Sequence, residues 1–289
     1  MNNLVLPSEK YNLLTTITNE LKQLKGIKAV VLGGSHATHM AHEKSDLDIG
    51  IYYHPDKPFE ITDIQTLAKK ISNNNQPVVT GFYEWGPYVN GGAWIETDIC
   101  QVDFIYKNLN QIKEAIDQAE KGIWDINYEQ QPPFGFSTLT FLAETFYCIP
   151  LFENTNEIKT LKERVKNYPQ KLKHAVVQQC LWAAEFSIWQ GENFADKNDL
   201  YATYGCITRA LHKIIFALFS LNEFYPMGDK NALPIIERCA VKPTHLTKRV
   251  NEVLTFNYTL LKERMVHLKK LFSDVTELAQ GLYTPYFKL

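Results

Sequence analysis

Cysteine is scarce in this 289-residue chain. The five residues present, Cys100, Cys148, Cys180, Cys206 and Cys239, are scattered, odd in number and free of any CxxC pair. That spacing argues against a disulfide framework or a structural zinc site and leaves them as small buried hydrophobes. A run of about 18 apolar residues is also missing, so no membrane span is expected. So is a basic excess: 30 Lys and Arg face 32 Asp and Glu, for a formal net charge of −2. The broad positive footprint of a protein whose main partner is nucleic acid is absent, although a few lysines would suffice for a triphosphate. The first residues, MNNLVLPSEKYNLL, have no basic stretch followed by an apolar one. No signal peptide is read there, and a cytoplasmic location is expected by elimination. Internal repeats and low-complexity segments are likewise not found.

What is present suits a globular protein of one to two domains, with 45% hydrophobic and 12% aromatic residues. The chain has two textures. Roughly the first 125 residues mix short β-rich runs with Gly, Pro and Asn punctuation. Residues 28–32 read as a buried strand ending at Gly33-Gly34, and Leu47 to Tyr53 as a second strand stopping at His54-Pro55. Ala93 to Thr97 and Ile99 to Tyr106 read as a hairpin joined at Asp98. Helical spacing marks Ile61 to Ile71 and Leu109 to Ala119. From about Ser137 the pattern is helical almost throughout: Pro169 to Trp189, Asp199 to Leu221 and Asn251 to Leu282. Pro132-Pro133 and Glu153 to Asn156 mark breaks. The expectation is an α+β protein: an N-terminal domain (1–125) with a mixed β-sheet flanked by helices, then a C-terminal helical bundle (126–289).

The chemistry concentrates in VLGGSHATHMAHEKSDLDIG, residues 31–50. A strand ends in Gly33, Gly34 and Ser35, and helix-compatible residues follow. At such a turn phosphate oxygens can approach backbone N–H groups, and Ser35 adds a hydroxyl donor and a candidate N-cap. Further on, Asp46 and Asp48 open a strand with one residue between them. Residues i and i+2 of a strand share a face, so the two carboxylates are presented together. Paired carboxylates repel unless a cation lies between them, and Mg²⁺ takes oxygen ligands while sharing its shell with substrate phosphates. Asp103 is an acid inside the apolar run Val102 to Tyr106, where an unpaired buried charge is costly; it supplies a third carboxylate for a two-ion site.

In their order and strand context, Gly33-Gly34-Ser35, Asp46-Leu47-Asp48 and Asp103 resemble the signature of the DNA polymerase β-like nucleotidyltransferase superfamily. Within it, the chain resembles small-molecule nucleotidyltransferases such as the aminoglycoside and lincosamide adenylyltransferases. The stretches 84–94 and 102–106 are similar to bacterial nucleotidyltransferase-domain proteins of undefined substrate. The resemblance implies that Asp46 and Asp48 hold the Mg²⁺ carrying the triphosphate of an NTP, with ATP the expected donor. Asp103 joins them at a second Mg²⁺, an acceptor hydroxyl attacks the α-phosphorus in line, and pyrophosphate leaves.

The remaining candidates carry two readings each. The loop Glu84 to Trp94 is rich in Trp, Tyr, Gly and Pro: Glu84, Trp85, Tyr88 and Trp94 are either acceptor contacts, with Trp85 or Tyr88 stacking on base or acceptor, or a turn cluster on the sheet. Glu96 either binds a basic acceptor or faces water. By resemblance, Glu185 is a candidate general base; it is otherwise an ion-pair partner of Arg209 or a lysine. In residues 221–230, Tyr225 and Lys230 resemble a helix-end motif that faces the nucleotide, with Lys230 on the phosphates; the segment is otherwise a helix C-terminus with an exposed lysine. His36, His39 and His42 are spaced less well for a metal than for solvation or packing, and Ser45 is placed to cap or orient the acids. The leading function is therefore transfer of an NMP to a small-molecule hydroxyl, an antibiotic being one acceptor class. A toxin-like transferase acting on protein or tRNA is the second, with tRNA disfavoured by charge. A catalytically silent nucleotide-sensing module is the third, disfavoured by the intact acid trio. Fold does not fix the acceptor.

Overall fold

The computed structural model describes residues 6–38, 40–74, 76–255 and 261–285. The chain divides into two compact units. The first comprises Met1–Asp117 with Asp125–Asn167, and the second comprises Gln118–Trp124 with Tyr168–Leu289.

The first unit runs α1 (Ser8–Leu21), β1 (Ile27–Leu32), α2 (Gly34–Ala37), β2 (Leu47–Tyr53), α3 (Ile61–Ile71), β3 (Val78–Val79), β4 (Gly92–Glu96), β5 (Gln101–Asn108) and α4 (Leu109–Glu120), whose last turn passes into the second unit. It resumes with β6 (Ile126–Asn127), β7 (Phe136–Ser137), α5 (Leu139–Tyr147), β8 (Ile149–Glu153) and α6 (Glu157–Val165). Six strands form one mixed sheet in the order β3-β4-β5-β2-β1-β8. Strands β2 and β5 are parallel, and the other neighbours are antiparallel.

Alternation along the strands makes one face of this sheet the core. Leu47, Ile49, Ile51 and Tyr53 of β2, Val102, Phe104 and Tyr106 of β5, and Ala93 and Ile95 of β4 are buried in one cluster. Leu14, Ile17 and Leu21 of α1 and Ile64, Leu67 and Ala68 of α3 cover it. Side chains of this size contribute about 1.5–3 kcal/mol each when fully buried. The alternate positions emerge on the opposite face. Lys107 of β5 is ion-paired there with Glu144 of α5 at 2.7 Å, and Tyr52 is buried.

The expected boundary at 125 moves. Ile149–Glu153, inside a stretch read as helical, pairs with β1 (Leu32↔Ile149, Ala29↔Glu153) and completes the sheet. Residues 125–167 therefore fold with the first unit, while 118–124 fold with the second.

The second unit is helical: α7 (Gln170–Asp196), α8 (Leu200–Leu221), α9 (Ala232–Glu237), α10 (Leu246–Leu254) and α11 (Leu261–Leu278). Asp199 caps α8 by accepting from the Ala202 N–H at 3.0 Å. By length and hydropathy α8 is apolar enough to cross a membrane, yet 67% of its most apolar stretch is buried inside the protein, as for a core helix packed against α7. The helix expected from Asn251 to Leu282 is instead α10 and α11; the expectation for 256–260 lies outside the described residues. The architecture is α+β, with a mixed sheet flanked by helices followed by a helical region.

Candidate active site

The Gly-Gly-Ser turn is shaped around one carboxylate. The N–H of Gly33, just past β1, donates to the Asp48 carbonyl at 2.8 Å, tying the turn to β2. Gly34 follows with φ +56°, and a Cβ built on it would lie 1.8 Å from Asp48 Oδ2. Only glycine fits, for both backbone and steric reasons. Gly33 is the N-cap of α2, so Ser35 sits half-buried in its single turn rather than capping it. Thr38 Oγ1 donates to the carbonyls of Gly34 and Ser35 and closes that turn.

Strand register then aligns the acids. Asp48 is the partner of Asp103 across the parallel β2–β5 pair, and Asp103 is the partner of Trp94 across β5–β4. Register partners share a face, on strands about 4.8 Å apart. Asp48, Asp103 and Trp94 thus form a row across three strands on the face opposite the α1–α3 core. Trp94 is 48% exposed while its neighbours Ala93 and Ile95 are fully buried. Gln101 Nε2 donates to Asp103 Oδ1 at 2.9 Å. Asp46 lies exposed immediately before β2. The turn leading into it is held twice: Ser45 Oγ accepts from the His42 N–H at 2.9 Å, and Lys10 Nζ donates to the carbonyls of Glu43 and Ser45, each at 2.7 Å. Lys10 is only 5% exposed. The sequence reading passed it over because nothing in its local context on α1 marks it as buried.

His36 is buried beside this turn, and burial, then the Lys10 charge, lower its pKa. His42 accepts from the Lys44 N–H through Nδ1, and His39 lies outside the described residues. Among the described residues no three of His, Cys, Asp and Glu form a cluster able to enclose a metal. The donor set is instead an aligned pair, Asp48 and Asp103, with Asp46 just ahead on the chain. Half-buried carboxylate oxygens of this kind fit a hard ion that completes its shell with phosphate and water, as Mg²⁺ does, and the absence of a Gly34 side chain is what lets the Asp48 carboxylate lie against the turn.

The Glu84–Trp94 loop contributes unevenly. Trp85 stacks on Trp94, with ring centroids 4.6 Å apart and planes at 25°, and so joins the Asp48–Asp103 row. Tyr88 instead anchors the loop: its ring packs on Phe136 and Phe141, and its N–H donates to Gln130. Glu84 is exposed. Glu96 is exposed and accepts from Asn74 Nδ2 at 3.2 Å.

In the helical unit, Glu185 is completely buried and accepts a hydrogen bond from Tyr283 Oη. Its carboxylate has no exposed surface, and the expected general-base role finds no support in this burial. Arg209, its expected partner, is exposed. Tyr225 is 3% exposed and its ring stacks on Tyr168, with centroids 4.7 Å apart, in the core of the helical unit. Lys230 is exposed in the turn before α9.

Residues 15–81 match the family model described as Polymerase beta, Nucleotidyltransferase. The match spans the Gly33–Ser35 turn, Asp46 and Asp48, and supports the polymerase β-like superfamily. A solved nucleotidyltransferase-like protein from Exiguobacterium sibiricum is similar to this chain at 9% identity and a TM-score of 0.47, covering 92% of this chain and 76% of its own. No curated protein matches the sequence.

Proposed function

We propose that the chain transfers a nucleoside monophosphate from a nucleoside triphosphate, with ATP the expected donor, to a hydroxyl of a small molecule. One observation carries the reading: Gly34 abuts the Asp48 carboxylate on the same sheet face where Asp48 is aligned with Asp103. A phosphate-admitting turn and paired acids are what nucleotidyl transfer needs in one place.

Asp46, Asp48 and Asp103 would hold Mg²⁺, which supplies charge neutralisation to the triphosphate. The backbone of Gly33, Gly34 and Ser35 receives phosphate oxygens. Asp103, held by Gln101, flanks the acceptor hydroxyl. The hydroxyl oxygen bonds to the α-phosphorus, the bond to the bridging oxygen breaks, pyrophosphate leaves, and the hydroxyl proton passes to solvent. Positioning and electrostatics supply most of the acceleration in such a transfer. Trp85 and Trp94 are the proposed acceptor contacts. The acid-lined face and the lack of net positive charge favour a small acceptor over tRNA.

The test is incubation of the purified chain with each labelled NTP, Mg²⁺ and a panel of hydroxyl-bearing metabolites and antibiotics, reading pyrophosphate release and labelled product. Release that depends on one acceptor and is lost in Asp48→Ala supports the proposal. Acceptor-dependent release that survives in Asp48→Ala overturns it.

A further inference from the structure

The stacked tryptophans do not hold themselves in place. The loop 85–89 that carries Trp85 contains no regular secondary structure, and its backbone groups need partners. Gln130 supplies four of them from a segment some forty residues away in sequence. Its Nε2 donates to the carbonyls of Trp85 at 2.7 Å and Val89 at 3.1 Å. Its Oε1 accepts from the N–H groups of Tyr88 at 2.8 Å and Val89 at 3.4 Å. Two donated and two accepted bonds fix the amide orientation, and the residue is only 7% exposed. Gly86 packs directly against it: φ is +127°, and a Cβ there would lie 2.5 Å from Gln130 Cδ and Nε2. The loop is thus threaded around a single side chain, and the consequence appears at Trp85, whose indole lies on Trp94 beside Asp103.

We propose that Gln130 is a positioning residue for acceptor recognition: by clamping residues 85–89 it holds Trp85 against Trp94 and so maintains a ring-stacking surface next to Asp103. The ligand chemistry is a flat or ring-shaped face carrying hydroxyls, with one hydroxyl directed toward the acid row. A half-exposed indole pair beside carboxylates suits such a body, because the rings bind its apolar face while the acids border its polar edge. This rests on the transfer reading only in assigning Asp103 to the acceptor side.

Two readouts test it without turnover. Stacked indoles couple through their strong far-ultraviolet transition, so the wild-type far-ultraviolet circular dichroism should show an exciton couplet that disappears in Trp85→Phe and Trp94→Phe. Gln130→Leu should lose the same couplet while its helical bands and thermal midpoint show a folded protein. Gly86→Ala, which crowds Gln130 without removing it, should reproduce the loss and serves if Gln130→Leu fails to fold. The binding probe is 4-nitrophenyl β-glucopyranoside, a ring compound with free hydroxyls whose nitrophenyl group quenches indole fluorescence. Wild type should show saturable quenching, and Gln130→Leu and Trp94→Phe should bind about tenfold or more weakly, the scale of one well-made contact. Binding of ATP with Mg²⁺ should stay within about twofold. A couplet retained in folded Gln130→Leu, or no saturable quenching in wild type, would overturn the proposal. Failure of the transfer reading appears separately, as acceptor-dependent release that survives Asp48→Ala, and leaves these spectra unchanged.

Discussion

Gly34 and Asp48 are in mutual contact: the Asp48 carboxylate fills the space where a Gly34 side chain would stand, with Oδ2 1.8 Å from the built Cβ position. The turn after β1 and the first acid of β2 are therefore one structural object. Gly34→Ala meets both a positive φ and a clash that only displacement of Asp48 relieves. The substitution should cost about 1–3 kcal/mol of stability and lower pyrophosphate release at least about 100-fold, because the displaced group belongs to the proposed reaction centre. Thermal unfolding and the release assay check the two halves separately, and a variant with wild-type turnover would contradict the placement.

Lys10 should matter to the same site from the far side of the turn. Its buried ammonium holds the Glu43 and Ser45 carbonyls just ahead of Asp46. Lys10→Met keeps the stem and removes the donors, and should cost about 2–4 kcal/mol for two charge-assisted bonds, the one to Ser45 buried and the one to Glu43 part-buried. Release should also fall, since Asp46 loses its support. Urea midpoints that match wild type would show that the contact contributes nothing.

Much of this was readable in advance, and the failures share a cause. The strand Leu47 to Tyr53 and the helix Ile61 to Ile71 fall where periodicity places them, because each is decided by its own alternating or 3.6-residue pattern. Asp48 and Asp103 were marked as acids among apolar strand residues, yet their register was not legible, since a parallel pairing is set by tertiary packing. Strand β8 was missed because its partner β1 lies more than a hundred residues earlier and its surroundings are helical. Gln130 gave no signal: an amide that satisfies four backbone groups looks like any surface glutamine until the loop is folded. Glu185 shows the converse, a motif-like acid whose complete burial and contact with Tyr283 were set by the helical packing.

That burial has its own test. Tyr283→Phe should lower stability by about 1–3 kcal/mol, the cost of taking a hydrogen bond from a buried carboxylate. Turnover per folded molecule should remain within about threefold, as for a loss confined to stability. A fall in turnover of about 100-fold at unchanged stability would instead assign Glu185 a catalytic role.

Acid sensitivity of the first unit should trace in part to Glu157. It pairs with Lys113 at 2.5 Å and His54 at 3.2 Å. Partial burial alone would raise its pKa; hydrogen bonds from Lys113 and Thr155 and the charges of Lys113 and His54 outweigh that and hold it down to about 2. A carboxyl depressed on folding contributes stability above its unfolded value of 4.5 and loses that contribution as pH falls toward 2. Glu157→Gln should therefore be less stable than wild type at neutral pH, and the difference should close between pH 4.5 and about 2. Urea midpoints across that range check it, and a constant difference would contradict it.

The central claim is that the aligned acids beside the Gly34 turn carry out nucleotidyl transfer. The most direct measurement is acceptor-dependent pyrophosphate release with Mg²⁺ and ATP, compared among wild type, Asp48→Asn and Asp103→Asn, each shown to be folded by circular dichroism. The expected result is turnover in wild type and a loss of at least about 100-fold in each variant, since both carboxylates are proposed to hold the Mg²⁺ that neutralises developing charge. Turnover by a folded Asp48→Asn or Asp103→Asn variant at the wild-type rate would contradict it.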